Sequence, residues 1–209
     1  MWDAPSGDGL KVLNGHTSDV SSVAFSSDGT HIISDSWDRS IRVWDASSGD
    51  ELKVLKGHTN DISSVAFSSN GTHIVSGSLD RSVRVWDALS GAELKVLNGH
   101  TNRVTSVAFS SDGTCIVSGS WDRSVRMWDV KHGAELKVLN GHTNKVSSVA
   151  FSNDGTCIIS GSSDRSVWVW DASSGDELKV LNGHTSDVSS VAFSSDGTCI
   201  ISGSWDNSV

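Results

Sequence analysis

The sequence has no long apolar run, no excess of basic residues and a single proline, Pro5. No segment approaches the ~20 apolar residues that a membrane-spanning helix needs, so no transmembrane helix is predicted. Met1-Trp2-Asp3 begins neither a basic nor an apolar segment, which predicts no secretory signal and an intracellular, cytoplasmic protein. The formal net charge of −9 argues against broad binding to nucleic acid or anionic membranes, because both require a basic surface.

Cysteine is also scarce, and the three cysteines are evenly spaced: Cys115, Cys157 and Cys199 lie 42 residues apart. His31 and His73 occupy the same position in the two preceding units of that length. This spacing is the period of a structural repeat and not that of a chelating loop, so neither a metal site nor a cofactor is predicted. Equivalent positions of adjacent repeats are expected to lie beyond the ~7 Å Cα separation that a disulfide allows, so the thiols are expected to be reduced.

What the sequence does contain is a repeat of 42 residues. Each unit begins with a Gly-His pair, and the pairs start at Gly15, Gly57, Gly99, Gly141 and Gly183. In the first complete unit, β-forming segments separated by turns predict four strands, over residues 20–25, 31–34, 41–44 and 51–55. Asp28-Gly29 predicts a type I′ hairpin turn, which requires positive φ at both central residues.

The Gly-His pairs and the later Trp-Asp pairs, in phase along the whole chain, resemble the WD-repeat (WD40) β-propeller family. The resemblance implies an all-β fold in which residues 1–209 form one domain of five four-stranded blades. Residues 1–14 match the end of a repeat, with Trp2-Asp3 aligned on Trp44-Asp45, and residues 183–209 match the beginning of one.

The match between the two ends leaves two interpretations open. In the first, the N-terminal residues complete the last blade and close a five-bladed ring. In the second, the chain is part of a longer array, such as the seven blades usual in the family. Open ends then favour self-association, because no blade buries both of its faces alone.

Each unit also carries a histidine, a serine and an aspartate, a combination also found in serine hydrolases. A nucleophilic serine must be exposed beside an oxyanion hole, whereas Ser118 lies in an apolar strand, so no catalytic activity is predicted. The resemblance implies instead a buried hydrogen-bond network that includes a tryptophan. The implied sets are His16, Ser34, Asp38 and Trp44; His58, Ser76, Asp80 and Trp86; His100, Ser118, Asp122 and Trp128; His142, Ser160, Asp164 and Trp170; and, if the ends meet, His184, Ser202, Asp206 and Trp2.

Two of the positions at which the repeats differ are candidates for function. The first follows the Gly-His pair and is occupied by Asp19, Asp61, Arg103, Lys145 and Asp187. The second precedes the network aspartate and is occupied by Trp37, Leu79, Trp121, Ser163 and Trp205. Both are expected in loops on one rim, where members of the family commonly contact partners. Tryptophan and arginine are enriched at binding hot spots, which favours a recognition surface, although drift at exposed positions is the alternative.

These patterns predict a non-catalytic scaffold that binds a protein or a peptide across the rim. One alternative is a ligand-sensing fragment of a larger signalling NTPase, of the kind found in fungal innate-immunity-like receptors, but no phosphate-binding loop is present in these residues. Another is a glycan-binding propeller, which the absence of tryptophan at Leu79 and Ser163 disfavours.

Overall fold

A computed structural model describes residues 1–209, and its regular elements are all β-strands. The structure contains no helix long and apolar enough to cross a membrane. The strands are β1 (Val20–Phe25), β2 (His31–Ser36), β3 (Ser40–Asp45), β4 (Glu51–Lys56), β5 (Ile62–Phe67), β6 (His73–Ser78), β7 (Val83–Asp87), β8 (Glu93–Leu97), β9 (Val104–Phe109), β10 (Cys115–Ser120), β11 (Val125–Asp129), β12 (Glu135–Leu139), β13 (Val146–Phe151), β14 (Cys157–Ser162), β15 (Ser166–Asp171), β16 (Glu177–Asn182), β17 (Val188–Phe193) and β18 (Ile200–Ser204).

The strands form sheets strictly in chain order. Four sheets have four antiparallel strands each, β1–β4, β5–β8, β9–β12 and β13–β16, and β17 pairs with β18 alone. Each sheet corresponds to one 42-residue repeat and is a blade, numbered 1 to 5 here. The all-β blade architecture is confirmed, with four complete blades and the inner two strands of a fifth.

The strands of blade 1 lie where the sequence predicts them, to within two residues at each end. The turn at Asp28-Gly29 is a hairpin turn, but the predicted type I′ conformation is wrong. Gly29 has a φ of 70°, whereas Asp28 has negative φ, and the amide of Gly29 donates to the carbonyl of Ser26 over 2.9 Å. The Asp28 carboxylate accepts hydrogen bonds from Ser26 and Thr30, and these bonds between residues of the turn stabilise the observed conformation.

Successive blades bury their apolar faces against one another. The cluster between blades 1 and 2 joins Ile33 and Val43 to Ile62, Val65 and Trp86, and similar clusters lie at the next three junctions. Hydroxyl groups of each inner strand also bond the inner strand of the next blade. Thr105 of blade 3, for example, donates to the carbonyl of Val146 in blade 4 over 2.7 Å. The molecule is therefore an array whose stability depends on contacts between neighbouring blades.

The first and last residues do not join in a common blade, so the conditional prediction of a closed ring is not realised in this structure. Residues 1–13 form a small hairpin, in which Trp2 bridges Gly9, and they contact blade 1 at its outer turn while a cavity remains against its inner strand. Lys11 and Leu13 contact Gly49 as Lys53 and Leu55 contact Gly91. The hairpin thus takes the place of the outer strands of a preceding blade, and it leaves blade 5 with two strands.

Candidate functional site: the upper rim

Two neighbouring features of each blade were candidates for function, a histidine-centred network and a variable rim. In blade 3, His100 Nδ1 lies 2.8 Å from Asp122 Oδ2, and His100 Nε2 lies 2.8 Å from Ser118 Oγ. The indole N–H of Trp128 donates to the same Ser118 oxygen over 2.8 Å. The same bonds, within about 0.1 Å, join the corresponding four residues of blades 1, 2 and 4.

The geometry of this network allows every polar group in it a partner. The hydroxyl oxygen of Ser118 accepts the N–H of Trp128, and in the tautomer with a proton on Nδ1, His100 donates to Asp122 while its Nε2 accepts from the Ser118 hydroxyl. Burial raises the pKa of Asp122, but hydrogen bonds from His100 and Ser124 outweigh that effect and hold the pKa well below its ordinary value. Ser118 is fully buried, so it is a bridging group and has no access to a substrate.

In blade 5 the network is incomplete. His184 bonds Asp206 and Ser202 over 2.9 and 2.8 Å, but no tryptophan donates to Ser202. Trp2, the residue expected there if the ends meet, lies in the N-terminal hairpin and is largely exposed. The physical reason is that residues 1–13 already pack on blade 1 and do not reach blade 5.

The two variable positions of each repeat meet in one place. The backbone amide of the second position donates to the backbone carbonyl of the first in all five blades, over 2.9 to 3.0 Å. The pairs are Trp37 with Asp19, Leu79 with Asp61, Trp121 with Arg103, Ser163 with Lys145 and Trp205 with Asp187. They lie at the edge where each blade's second strand ends and its first strand begins. We call this edge the upper rim and the opposite edge, with the turns at Gly29 and Gly49, the lower rim.

The ten variable residues do not contribute equally to the surface of the upper rim. The side chains of Trp37, Trp121 and Trp205 are 50%, 36% and 73% exposed, whereas Ser163 is buried and Leu79 is half-buried. Ser163 therefore offers little surface to a partner. Asp19 is exposed, and the charged residues at the same position in blades 2 to 5 are half-buried.

One part of the rim carries stacked cations. The guanidinium carbon of Arg103 lies 3.7 Å from the ring centroid of Trp121, and the Lys145 ammonium lies 4.7 Å from the same centroid. Lys145 also lies 3.8 Å from a carboxylate oxygen of Asp187. Arg81 and Arg103 further line a shallow cavity of about 290 Å³ between blades 2 and 3. We call Arg81, Arg103, Trp121 and Lys145 the basic sector.

Asp35 is an unusual residue of this array that was not predicted from the sequence. It lies on β2 where the other repeats have glycine, and it is fully buried at the junction with blade 2. One carboxylate oxygen accepts the amide of Ser22 over 2.5 Å, and the other has no partner. Alignment of the repeats is the signal that finds it, since Gly77, Gly119, Gly161 and Gly203 share its position.

Comparison with known families agrees with this geometry. The model of the WD40 family (WD domain, G-beta repeat) matches residues 7–45, 49–87, 91–129, 133–171 and 175–209. The chain belongs to the WD-repeat family. No curated protein matches the chain. WD40 domains in general are non-catalytic scaffolds for protein interactions, and no group of three or more His, Cys, Asp or Glu side chains is arranged here to hold a metal ion.

Proposed function

We propose that this WD40 array is a non-catalytic scaffold that binds a protein or a peptide across the upper rim. The observation that carries the proposal is the pairing of the two variable positions on that single edge. Each of these two positions carries three kinds of side chain among the five blades, while the buried network is the same in every complete blade. An intracellular, cytoplasmic location is part of the proposal, since it keeps the three thiols reduced.

The exposed tryptophans support a binding role for this rim. Trp37, Trp121 and Trp205 present large, rigid aromatic surfaces to solvent, and tryptophan is among the residues most enriched at binding hot spots. Their flanking charges differ from blade to blade, with carboxylates in blades 1, 2 and 5 and cations in blades 3 and 4. Such a pattern fixes how a charged partner is oriented on the rim.

A peptide-display selection tests the proposal. Random peptides are selected on the immobilised chain, and each enriched peptide is titrated against a rim variant carrying Trp37→Ala, Trp121→Ala and Trp205→Ala. The matched control changes two exposed residues of the lower rim, Leu89→Ala and His132→Ala. We expect binding to the control at the original affinity and a loss of at least roughly tenfold with the rim variant. Equal binding to all three proteins contradicts the proposal.

A further inference from the structure

The arginines of this chain fall into two groups that differ in their partners. Arg42, Arg84 and Arg126 lie on the third strands of their blades and form ion pairs with Glu51, Glu93 and Glu135. The arginines of the upper rim form no ion pair with any carboxylate of the chain. They are Arg39, Arg81, Arg103, Arg123 and Arg165. The rim thus carries guanidinium groups free to bind an external anion, in a protein of net charge −9.

Four of these rim arginines are held in an unfavourable backbone conformation. Arg39, Arg81, Arg123 and Arg165 have φ values between 67° and 75°, in the left-handed region that asparagine and glycine tolerate better. Asparagine does occupy the equivalent position in blade 5, as Asn207. The backbone conformation alone therefore gives no reason for arginine at these sites, whereas an anionic partner does.

Two cationic side chains lie over the ring of Trp121. Its ring is in contact with Arg103 and within cation–π distance of Lys145, a residue of the next blade. No cation stacks on Trp37 or Trp205, which are correspondingly more exposed. Holding Arg103 against an aromatic face reduces the conformational entropy that it loses when it binds an anion.

The cavity that Arg81 and Arg103 line has the chemistry of a carboxylate site. It is lined by Asn60, Leu79, Arg81, Thr101, Asn102 and Arg103. Two arginines thus come from two blades and are flanked by residues whose side chains also donate hydrogen bonds, with Leu79 as the apolar residue. A volume of about 290 Å³ admits a side chain of a partner rather than a large free ligand.

Acidic residues limit how far an anionic partner extends along the rim. Asp19 lies on blade 1, Asp61 lies beside the cavity on blade 2, and Asp187 on blade 5 partly neutralises Lys145 at 3.8 Å. Arg103 and Arg81 are therefore the principal anion contacts, and Lys145 is the weaker one. A short acidic segment is therefore attracted to blades 2 to 4. Further acidic residues on either side of that segment are repelled by Asp19 and Asp187.

We propose that the basic sector binds an acidic peptide segment of a partner protein, with Asp or Glu carboxylates on Arg81 and Arg103 and the neighbouring residues packed beside Trp121. This inference rests on the proposed rim-binding function and names the class of partner.

The test uses the displayed library of random peptides described above. Peptides enriched on the wild-type chain are sequenced, synthesised with a fluorescent label and titrated by fluorescence polarisation. The variant carries Arg81→Gln and Arg103→Gln. Its control carries Lys131→Gln and Lys179→Gln, which makes the same change of charge at exposed residues away from the upper rim. Thermal melts of both variants establish that they are folded.

We expect the enriched peptides to be rich in Asp and Glu, and to bind the arginine variant at least roughly tenfold more weakly than the control. Their affinity for the wild-type chain is expected to fall as salt is added, and to fall less steeply for the arginine variant. The inference is overturned if the enriched peptides lack acidic residues, or if acidic peptides bind the variant with Arg81→Gln and Arg103→Gln as tightly as they bind the control. If such peptides still depend on the rim tryptophans, only the inference fails; if they do not, the proposed function fails as well.

Discussion

At the scale of single residues, Asp35 is the least favourable choice in the array. Burial raises the pKa of its carboxyl to about 6, against the hydrogen bonds from Ser22 and Ser21 that lower it. The junction with blade 2 also differs from the others. In the next three junctions a serine hydroxyl of the inner strand accepts a backbone amide of the following blade, and the corresponding bond from Val65 to Ser22 is missing. A buried carboxylate and one fewer hydrogen bond therefore occur together at this junction.

We predict that Asp35→Gly stabilises the chain. The rise in pKa corresponds to roughly 3 kcal/mol of destabilisation when the carboxyl is ionised. Glycine loses more backbone entropy on folding than other residues do, and this cost offsets about 0.5–1 kcal/mol of the gain. A net gain of about 2 kcal/mol at pH 7 is expected, measured as a higher midpoint in urea and thermal unfolding. An unchanged or lower midpoint means that the structure around blade 1 relaxes to solvate the carboxylate.

The pH dependence of the same site has a definite sign. Because the folded-state pKa of about 6 is higher than the ordinary 3.8, the folded chain binds this proton more tightly, and the contribution of Asp35 to stability becomes more favourable as pH falls from about 7 to about 4. Asp35→Asn keeps the shape but cannot titrate, so its advantage over the wild type is expected to shrink across that window. The network aspartates have lowered pKa values and lose their stabilising effect as pH falls below about 5, but they do so equally in both proteins, so the difference between the wild type and Asp35→Asn is unaffected.

At the scale of strands and blades, the second strand needs a small residue where the next blade packs on it. A Cβ atom at Gly119 of β10 would lie 2.7 Å from Val146 Cγ1 and 3.0 Å from Val149 Cγ1, both on the buried inner strand of blade 4. The equivalent atom at Gly203 of β18 would meet only serine hydroxyls of its own blade, because no blade within residues 1–209 packs on this face. Identical glycines thus have different roles according to their place in the array.

We predict that Gly119→Ala destabilises the chain by about 1–3 kcal/mol, because the added methyl group overpacks the junction of blades 3 and 4. Gly203→Ala is the matched control and is expected to leave stability unchanged or slightly higher, as alanine restricts the unfolded chain. Thermal melts of the two variants measured side by side separate the effects. Similar losses from both would show that the strand itself, and not the blade junction, requires glycine.

The strands were predictable because each depends on a short, repeated pattern. A strand such as β1 follows from β-forming residues between two turns, whereas the pairing of His58 with Asp80 was implied by the resemblance to the WD-repeat family. The hairpin turn type was not predictable, because Gly29 suits either conformation. The stacking on Trp121 was not predictable either, since it depends on how far a side chain of the next blade reaches.

At the scale of the whole molecule, the two ends of the array expose apolar surface that the interior blades bury. Val23 on the inner strand of blade 1 is 66% exposed, whereas its equivalent Val65 is 5% exposed. A cavity of about 470 Å³ separates the N-terminal hairpin from this face. At the other end, Ile201 is 57% exposed, and β18 has one edge without a neighbouring strand. Exposed apolar faces and free strand edges favour association with other chains.

We predict that a polypeptide of residues 1–209 self-associates through these two ends. Light scattering across a range of concentrations is expected to show dimers or larger species that dissociate on dilution. Val23→Lys with Ile201→Lys places charge on both end faces and is expected to shift the chain towards monomer. Leu89→Lys with Leu136→Lys adds the same charge at exposed residues away from the ends and is expected to leave association unchanged. A monomer at every concentration contradicts the prediction and favours the closed ring, in which the N-terminal hairpin leaves blade 1 and Trp2 donates to Ser202.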